Sequence, residues 1–181
     1  MDADTVSGGH EALLREFEQR RIPILLGTQM VAKGLDFENV TLVGVVAPDL
    51  SLYVDDIRAG ERTFSLLTQV VGRAGRGEKQ GRAVIQTFTP DNDVIRFAAK
   101  QDYDNFYATE IEMRRLRGLP PFRDVIVLTA SGLDEGAVLR CCMRLRQAMD
   151  QALRGSEAQI FGPAPAAVAK VNNRYRYRLT L

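Results

Sequence analysis

Two nearly unbroken apolar runs, "IPILLG" (22–27) and "VTLVGVVA" (40–47), constrain the fold of this chain more than any other feature. A strand with one wet face alternates apolar and polar residues, whereas a run apolar at every position suits a strand covered on both faces, as in parallel sheets. Between and around these runs the pattern turns helical. "HEALLREFEQRR" (10–21) places Leu13, Leu14, Phe17 and Ile22 on one side of an amphipathic helix. A second helix is expected from about Gly60 to Ala74, and "RAVIQTF" (82–88) supplies another strand before Pro90. Alternating strand and helix argue an α/β layer with a mostly parallel sheet and flanking helices.

The pattern changes beyond residue 91. Residues 92–117 read as one or two helices, with a break near Asp102, and "GLPPF" (118–122) stops them, because a glycine and two prolines do not continue a helix. A smaller α+β unit is expected after that stop. "DVIVLTAS" reads as a strand and "GAVLRCCMRLRQAMDQAL" as a helix with Val138, Cys142, Leu145, Met149 and Leu153 on its core side. "QIFGPAPA" and "RYRYRLTL" complete the unit. The expected division is therefore 1–91, a helical connection at 92–118, and 119–181.

With 45% hydrophobic residues in 181, the chain can bury a substantial core. No run of about 18 apolar residues is present to span a bilayer, and "MDADT" at the start has no basic, signal-like character. The only cysteines, Cys141 and Cys142, are adjacent. They form neither a C-x-x-C hook nor a disulfide framework, which suits a reducing, cytoplasmic setting. Cys142 falls on the apolar stripe and reads as core. His10, the only histidine, has no partner at motif spacing and is expected to have no catalytic role. The formal net charge of +1 hides an asymmetry: residues 1–90 hold 10 Lys/Arg against 12 Asp/Glu, and residues 113–181 hold 12 against 5. Such a basic segment fits either a solvated arginine-rich surface or a polyanion-binding one.

"TFSLLTQVVGRAGRG" (63–77) carries the most chemistry. On a helix, Phe64, Leu67, Val71 and Ala74 share a core-facing stripe, while Gln69, Arg73 and Arg76 fall within about 60° of one another on the opposite side. Gly72 and Gly75 flank the arginines, although each glycine weakens a helix by roughly 1 kcal/mol. A helix C-terminus opposing its dipole would account for one arginine. The glycines suggest that something large, planar or anionic comes close, and a guanidinium fork matches phosphate oxygens. In "GTQMVAKGLDF" (27–37), Thr28 follows an expected strand, and Gly34 would allow close backbone approach in the loop beyond. Loops at the carboxyl ends of parallel strands are where α/β sheets bind ligands. An ordinary strand-to-helix turn capped by Thr28 is the simpler reading of that stretch alone.

"QVVGRAGR" resembles the sixth motif of superfamily 2 helicases and "GTQMVAKGLDF" the fifth. With "MDADT", "KQGRAVIQT", "RGLPPF" and "FGPAPA…RYRYRLTL" in the same order, essentially the whole chain resembles the bacterial replication-restart helicases of that superfamily. The resemblance implies the later part of a second RecA-like motor domain, followed by a truncated C-terminal domain of a longer ATP-dependent DNA helicase of 3′-to-5′ polarity. It implies that Arg76 is an arginine finger, with Arg73 and Gln69 assisting at the phosphates. Gly34, Asp36, Gly72 and Gly75 would border the nucleotide, and Thr28, Gln29 and Lys33 would meet single-stranded DNA.

ATP and Mg2+ would be bound mainly by a first motor domain. The sequence contains no G-x-x-x-x-G-K-[ST] loop and no D-E-x-[HD] motif, so the chain alone is expected to be inactive as an ATPase. The family's zinc-binding cysteines do not occur, and no metal site is expected. Forked and single-stranded DNA, single-strand DNA-binding protein and other primosome proteins are the implied partners. Alternation in "RYRYRLTL" sets Arg174, Arg176 and Arg178 on one face of a strand, at a sheet edge or with one solvated side. There they either stay solvated or track a DNA backbone or an acidic protein tail. Tyr175 and Tyr177, facing the leucines, are expected to pack. The rival reading of the whole chain is a non-catalytic module, derived from a helicase domain, that binds nucleic acid or protein.

Overall fold

The computed structural model describes residues 9–28, 40–72 and 81–181. In order, its elements are α1 (Gly9–Gln19), β1 (Leu42–Val46), a short α2 (Asp49–Leu52), α3 (Ala59–Val71), β2 (Arg82–Gln86), α4 (Asp93–Lys100), α5 (Tyr103–Arg117), β3 (Val127–Gly132), α6 (Glu135–Ala152), β4 (Phe161–Val171) and β5 (Arg174–Thr180). Two compact units result, Met1–Glu110 and Ile111–Leu181, dividing within α5.

In the first unit β1 and β2 pair in parallel, with Val43 opposite Ala83 and Val45 opposite Ile85. Helix α3 connects them, which is the βαβ logic expected from the alternating pattern. Its buried Phe64 and Leu67 form the core with Ile95, Ala98 and Phe106, and Val45 and Ile85 pack against that cluster from the sheet. Phe64 lies over Phe106 with ring centroids 4.0 Å apart and 8° between planes. Ala74, the last member of the expected stripe, lies outside the described residues.

The first strand expected from sequence does not form. Residues 22–28 run without strand pairing, and Ile24 and Leu26 are 70% and 79% exposed. An apolar run becomes a strand only when a neighbour takes up its backbone hydrogen bonds. Among the described residues β1 pairs with β2 alone. Ile22, expected on the apolar side of α1, lies beyond the end of that helix and is exposed. The "VTLVGVVA" strand forms, but only one face is covered: Leu42 and Val46 are 61% and 75% exposed.

Helices α4 and α5 break at Asp102 as expected. Asn92 caps α4 by accepting from Val94 N, and the Asp102 carboxylate accepts from Asn105 N at the start of α5. Gln101 between them adopts a left-handed conformation. Helix α5 ends at Arg117, and Gly118 takes φ +61°. The buried Arg114 donates to Pro120 O at 2.8 Å, and Arg115 stands over the Phe122 ring. Two of the arginines around "GLPPF" thus hold the turn that follows the helix.

The second unit is an antiparallel sheet ordered β3-β5-β4, with α6 packed on it. Asp134 caps α6 by accepting from Ala137 N. Val138 and Cys142 are buried as expected, whereas Leu145 is 42% exposed. The Cys142 thiol is pushed up in pKa, chiefly by burial, consistent with core packing. Asn172 and Asn173 both have positive φ and make the two-residue turn from β4 to β5, a geometry asparagine tolerates. Strand β5 was expected at an edge or with one solvated side. It lies at the centre of the sheet, hydrogen-bonded on both flanks, so the edge alternative fails, while the one-sided alternative holds because α6 lies on the face opposite the arginines. Strands β3 and β4 pair antiparallel along its two flanks, so the basic strand has no free edge.

Candidate functional site

Helix α3 presents the one described member of the expected arginine-site triplet. Gln69 is exposed, its Nε2 donating only as far as Ser65 Oγ at 3.2 Å, one turn back on the same helix. The buried side of the helix is fixed by Phe64, Leu67 and the fully buried Thr63, whose hydroxyl meets Ser51 Oγ at 3.0 Å. Facing Gln69 outward follows from that registration, because residues 63, 64 and 67 share the side turned inward. Its first turn is held by Asp56, which accepts from Arg58 N and pairs with Arg62 at 2.7 Å. The helix ends at Gly72, where the N–H returns to Thr68 O. Arg73, Gly75 and Arg76 lie outside the described residues.

Gly72 itself has φ −68°, a right-handed value open to any residue. Its missing side chain serves proximity instead: a Cβ there would lie 3.1 Å from Gln101 Nε2 and 3.2 Å from Thr68 O. Something planar does come close to this glycine, and it is a side-chain amide of the same unit.

Of the site residues expected in the fifth motif only Thr28 is described, and it is exposed. Gln29, Lys33, Gly34 and Asp36 lie outside the described residues. At the carboxyl ends of β1 and β2 the structure assembles a cluster that sequence reading missed. Asp49, 8% exposed, accepts from Thr89 Oγ1 at 2.7 Å, from Thr87 Oγ1 at 2.8 Å and from Phe88 N at 3.3 Å. The Thr89 hydrogen bond leads the causes that hold its carboxyl below the usual range. With its acceptors occupied, Asp49 ties the loop after β1 to the loop after β2. The signal was present: an acid just beyond one apolar strand, and two threonines just beyond the next.

In the second unit the face of each β5 residue follows from its cross-strand partner. Tyr177 and Leu179 stand opposite Ala130 and Leu128. Tyr177 donates to Glu135 Oε1 of α6 at 2.8 Å, so this is the helix-covered side, and the tyrosine packs as expected. Arg176 and Arg178 stand opposite Ser131 and Thr129, on the other side. Both are half-buried by the flanking strands, and Arg174 is exposed with Nη2 3.4 Å from Ser131 O. The arginine row exists, set in the middle of a sheet face bordered by hydroxyls. Among the described residues no group of three or more His, Cys, Asp or Glu converges as a metal site, and no helix is long and apolar enough to cross a membrane.

Residues 1–78 match the helicase conserved C-terminal domain, and residues 115–181 match the primosomal protein N C-terminal domain. The replication restart protein PriA of Bacillus subtilis is 43% identical over 183 aligned residues, which take in 100% of this chain and 23% of the relative. The chain is thus similar along its whole length to PriA proteins. The PriA of a Synechocystis species is 42% identical, over 98% of this chain and 22% of its own length, and that of Rickettsia felis is 40% identical over 93% and 26%. The chain thus spans about a quarter of the length of these curated relatives. The RecA-like character of the first unit accords with the helicase match, and the match to the PriA C-terminal domain takes in the whole antiparallel sheet with α6.

Proposed function

We propose that this chain forms part of an ATP-dependent DNA helicase that recognises stalled or branched replication forks and restarts replication through primosome assembly. The observation that carries the reading is similarity along the whole chain to replication restart proteins. The exposed Gln69 on the last turns of α3, followed in sequence by Arg73 and Arg76, supports it. In this reading ATP and Mg2+ sit between a preceding motor domain and this one, and bring the phosphoryl group to be transferred. Arg76 stabilises charge on that group, and Arg73 and Gln69 hold the neighbouring phosphate oxygens. Gly72 and Gly75 keep the approach open, and Gly34 and Asp36 border the nucleotide. Thr28, Gln29 and Lys33 contact single-stranded DNA and couple it to hydrolysis, with translocation 3′ to 5′. Arg174, Arg176 and Arg178 offer a basic sheet face to a DNA backbone or to an acidic segment of a partner such as single-strand DNA-binding protein.

The chain by itself, with no phosphate-cradling loop in its sequence, hydrolyses no ATP in this reading. The direct test uses the full-length helicase. Arg76→Ala should lower DNA-stimulated ATP hydrolysis by about 10³–10⁵, the range in which arginine fingers act, with DNA affinity nearly unchanged. Near-normal turnover in that variant removes the finger assignment. The non-catalytic alternative predicts salt-sensitive DNA binding by this chain and no loss of any turnover when Arg76 is replaced.

A further inference from the structure

The open face of the β3-β5-β4 sheet carries more than its arginines. Cross-strand partners share a face, so Phe161 of β4 and Val127 of β3, both opposite Thr180, lie on the side away from α6. The next residue in β4 agrees: a Cβ on Gly162 would lie 3.5 Å from Leu179 Cδ2, on the helix-covered side. Phe161 is 61% exposed. A lone exposed apolar residue is ordinary, and the neighbours of this one are what give it meaning. Arg178 is its diagonal neighbour across the strand pair, at about 7–8 Å, and Arg176 and Arg174 follow at intervals of about 6.5–7 Å along β5. Thr129 and Ser131 stand opposite Arg178 and Arg176. The three strands contain no acidic residue. An aromatic ring thus ends a row of three arginines, on strands free of negative charge.

We infer that this face binds single-stranded nucleic acid, with one base stacked on the Phe161 ring and the phosphates carried along Arg178, Arg176 and Arg174. The inference deepens the reading of the basic face given above and rests on it. The arginines alone suit any polyanion, and the ring is what chooses among them. A duplex keeps the faces of its bases inside, so it offers Phe161 no stacking partner. An acidic peptide is matched by the cations and does not require a ring at the end of their row. A single strand presents phosphates and open base faces together, and every base has such a face, so the site tolerates any sequence. Arg176 and Arg178 are half-buried, which leaves their stems less rotamer freedom to lose when a ligand arrives.

The sequence contains no tryptophan, so Phe161→Trp sets a single indole at the stacking position. Its emission should be quenched when the 181-residue chain is titrated at low salt with a short oligodeoxythymidine, and unchanged with a duplex of the same length. Phe161→Leu keeps an apolar side chain but removes the ring. It should bind the single strand about tenfold more weakly, the scale of one base stack, with duplex affinity and Tm unchanged. Arg174→Ala should weaken single-strand binding and lower its salt dependence by about one phosphate contact. Unchanged single-strand affinity in either variant, or an unquenched Phe161→Trp, overturns the inference. Equal losses on single strand and duplex in Phe161→Leu overturn it too, because the ring would then act through the sheet. Tighter binding of a polyglutamate peptide than of the single strand assigns the face to an acidic protein and overturns it as well. The motor reading is tested separately, by turnover in Arg76→Ala, so neither failure hides the other.

Discussion

The two sheets of this protein each have a helix on one face, yet their other faces differ. In the first unit the face turned away from α3 carries Leu42, Val46 and Val84, at 61%, 75% and 45% exposure, and Phe88 just beyond β2 is 84% exposed. In the second unit the face turned away from α6 carries Thr129, Ser131, Arg174, Arg176 and Arg178. An antiparallel sheet can keep one side in water, and its strands then alternate, as "RYRYRL" does. Parallel strands are normally covered on both sides and are written in continuous apolar residues, as "LVGVV" is. The bare face of β1 and β2 is therefore composed for a cover, and the basic face of β5 is composed for solvent or for a polar partner. Exposure of an apolar residue means opposite things in the two units.

A matched pair of substitutions would break or sharpen this contrast most strongly. Val46→Glu in the full-length protein should cost at least about 3 kcal/mol in chemical denaturation, because a charge would be placed under whatever covers that face. Val127→Glu on the open face of the second unit should stay within about 1 kcal/mol, the scale of strand propensity. Val46 is the more exposed of the two in this structure, at 75% against 52%, so a reading from exposure alone predicts the reverse order. Equal small effects would mean that the outer face of β1 and β2 stays in water.

Two glycines give a contrast of intermediate size. Gly162 in β4 has φ +96°, and a Cβ there would lie 2.7 Å from Arg178 O, a backbone atom of the central strand. Backbone in the middle of a sheet cannot move aside cheaply. Gly162→Ala should therefore lower stability by about 2 kcal/mol or more, from the left-handed conformation and the collision together. Gly72→Ala meets the movable end of Gln101 and the Thr68 carbonyl, and it gains up to about 1 kcal/mol of helix propensity. The Gly72 variant should change Tm little while displacing Gln101. A large loss of stability at Gly72 would show that the amide does not yield.

The sequence made one kind of structure easy to read. Helices α3, α4, α5 and α6 and strands β1, β2, β3 and β5 were expected nearly where they occur, because periodicity and stop signals such as Asp102 and "GLPPF" act locally. Position within a sheet was not local. Nothing in "RYRYRL" distinguishes a central strand from an edge, since that depends on which segments return to pair with it. The same limit misplaced "IPILL", whose apolar character promised a strand without promising a neighbour. At the candidate site Gln69 was placed correctly by helical geometry from Phe64 and Leu67. Gly72 was noticed for its missing side chain, but Gln101 could not be found, because the contact joins the ends of two helices. Asp49 escaped for a related reason: its partners Thr87 and Thr89 are brought to it only by parallel pairing of β1 and β2.

The Asp49 cluster supplies the smallest expected effect, and a sign that can be checked. Its carboxyl is held below the ordinary value of 3.8, first by the Thr89 hydroxyl and then with help from Thr87 and Phe88 N. A folded-state pKa below the unfolded one means that the unfolded chain takes up the proton more readily. The stabilisation is therefore complete at neutral pH and persists down to the unfolded value. It is lost as the pH falls further, through the folded pKa. Asp49→Asn has no such proton to take up. Its amide keeps one acceptor oxygen for the two threonines but presents N–H donors toward Phe88 N. The variant should accordingly be less stable than the parent at pH 7, with the gap narrowing below about pH 4, the ordinary carboxylate range. Thermal unfolding of both proteins at pH 7, 5 and 3 measures this. The gap should be the same at pH 7 and 5 and smaller at pH 3. A gap that stayed constant to pH 3 would mean that the threonine hydroxyls bind the protonated carboxyl as well as the charged one, and that the three hydrogen bonds act only to join the two loops.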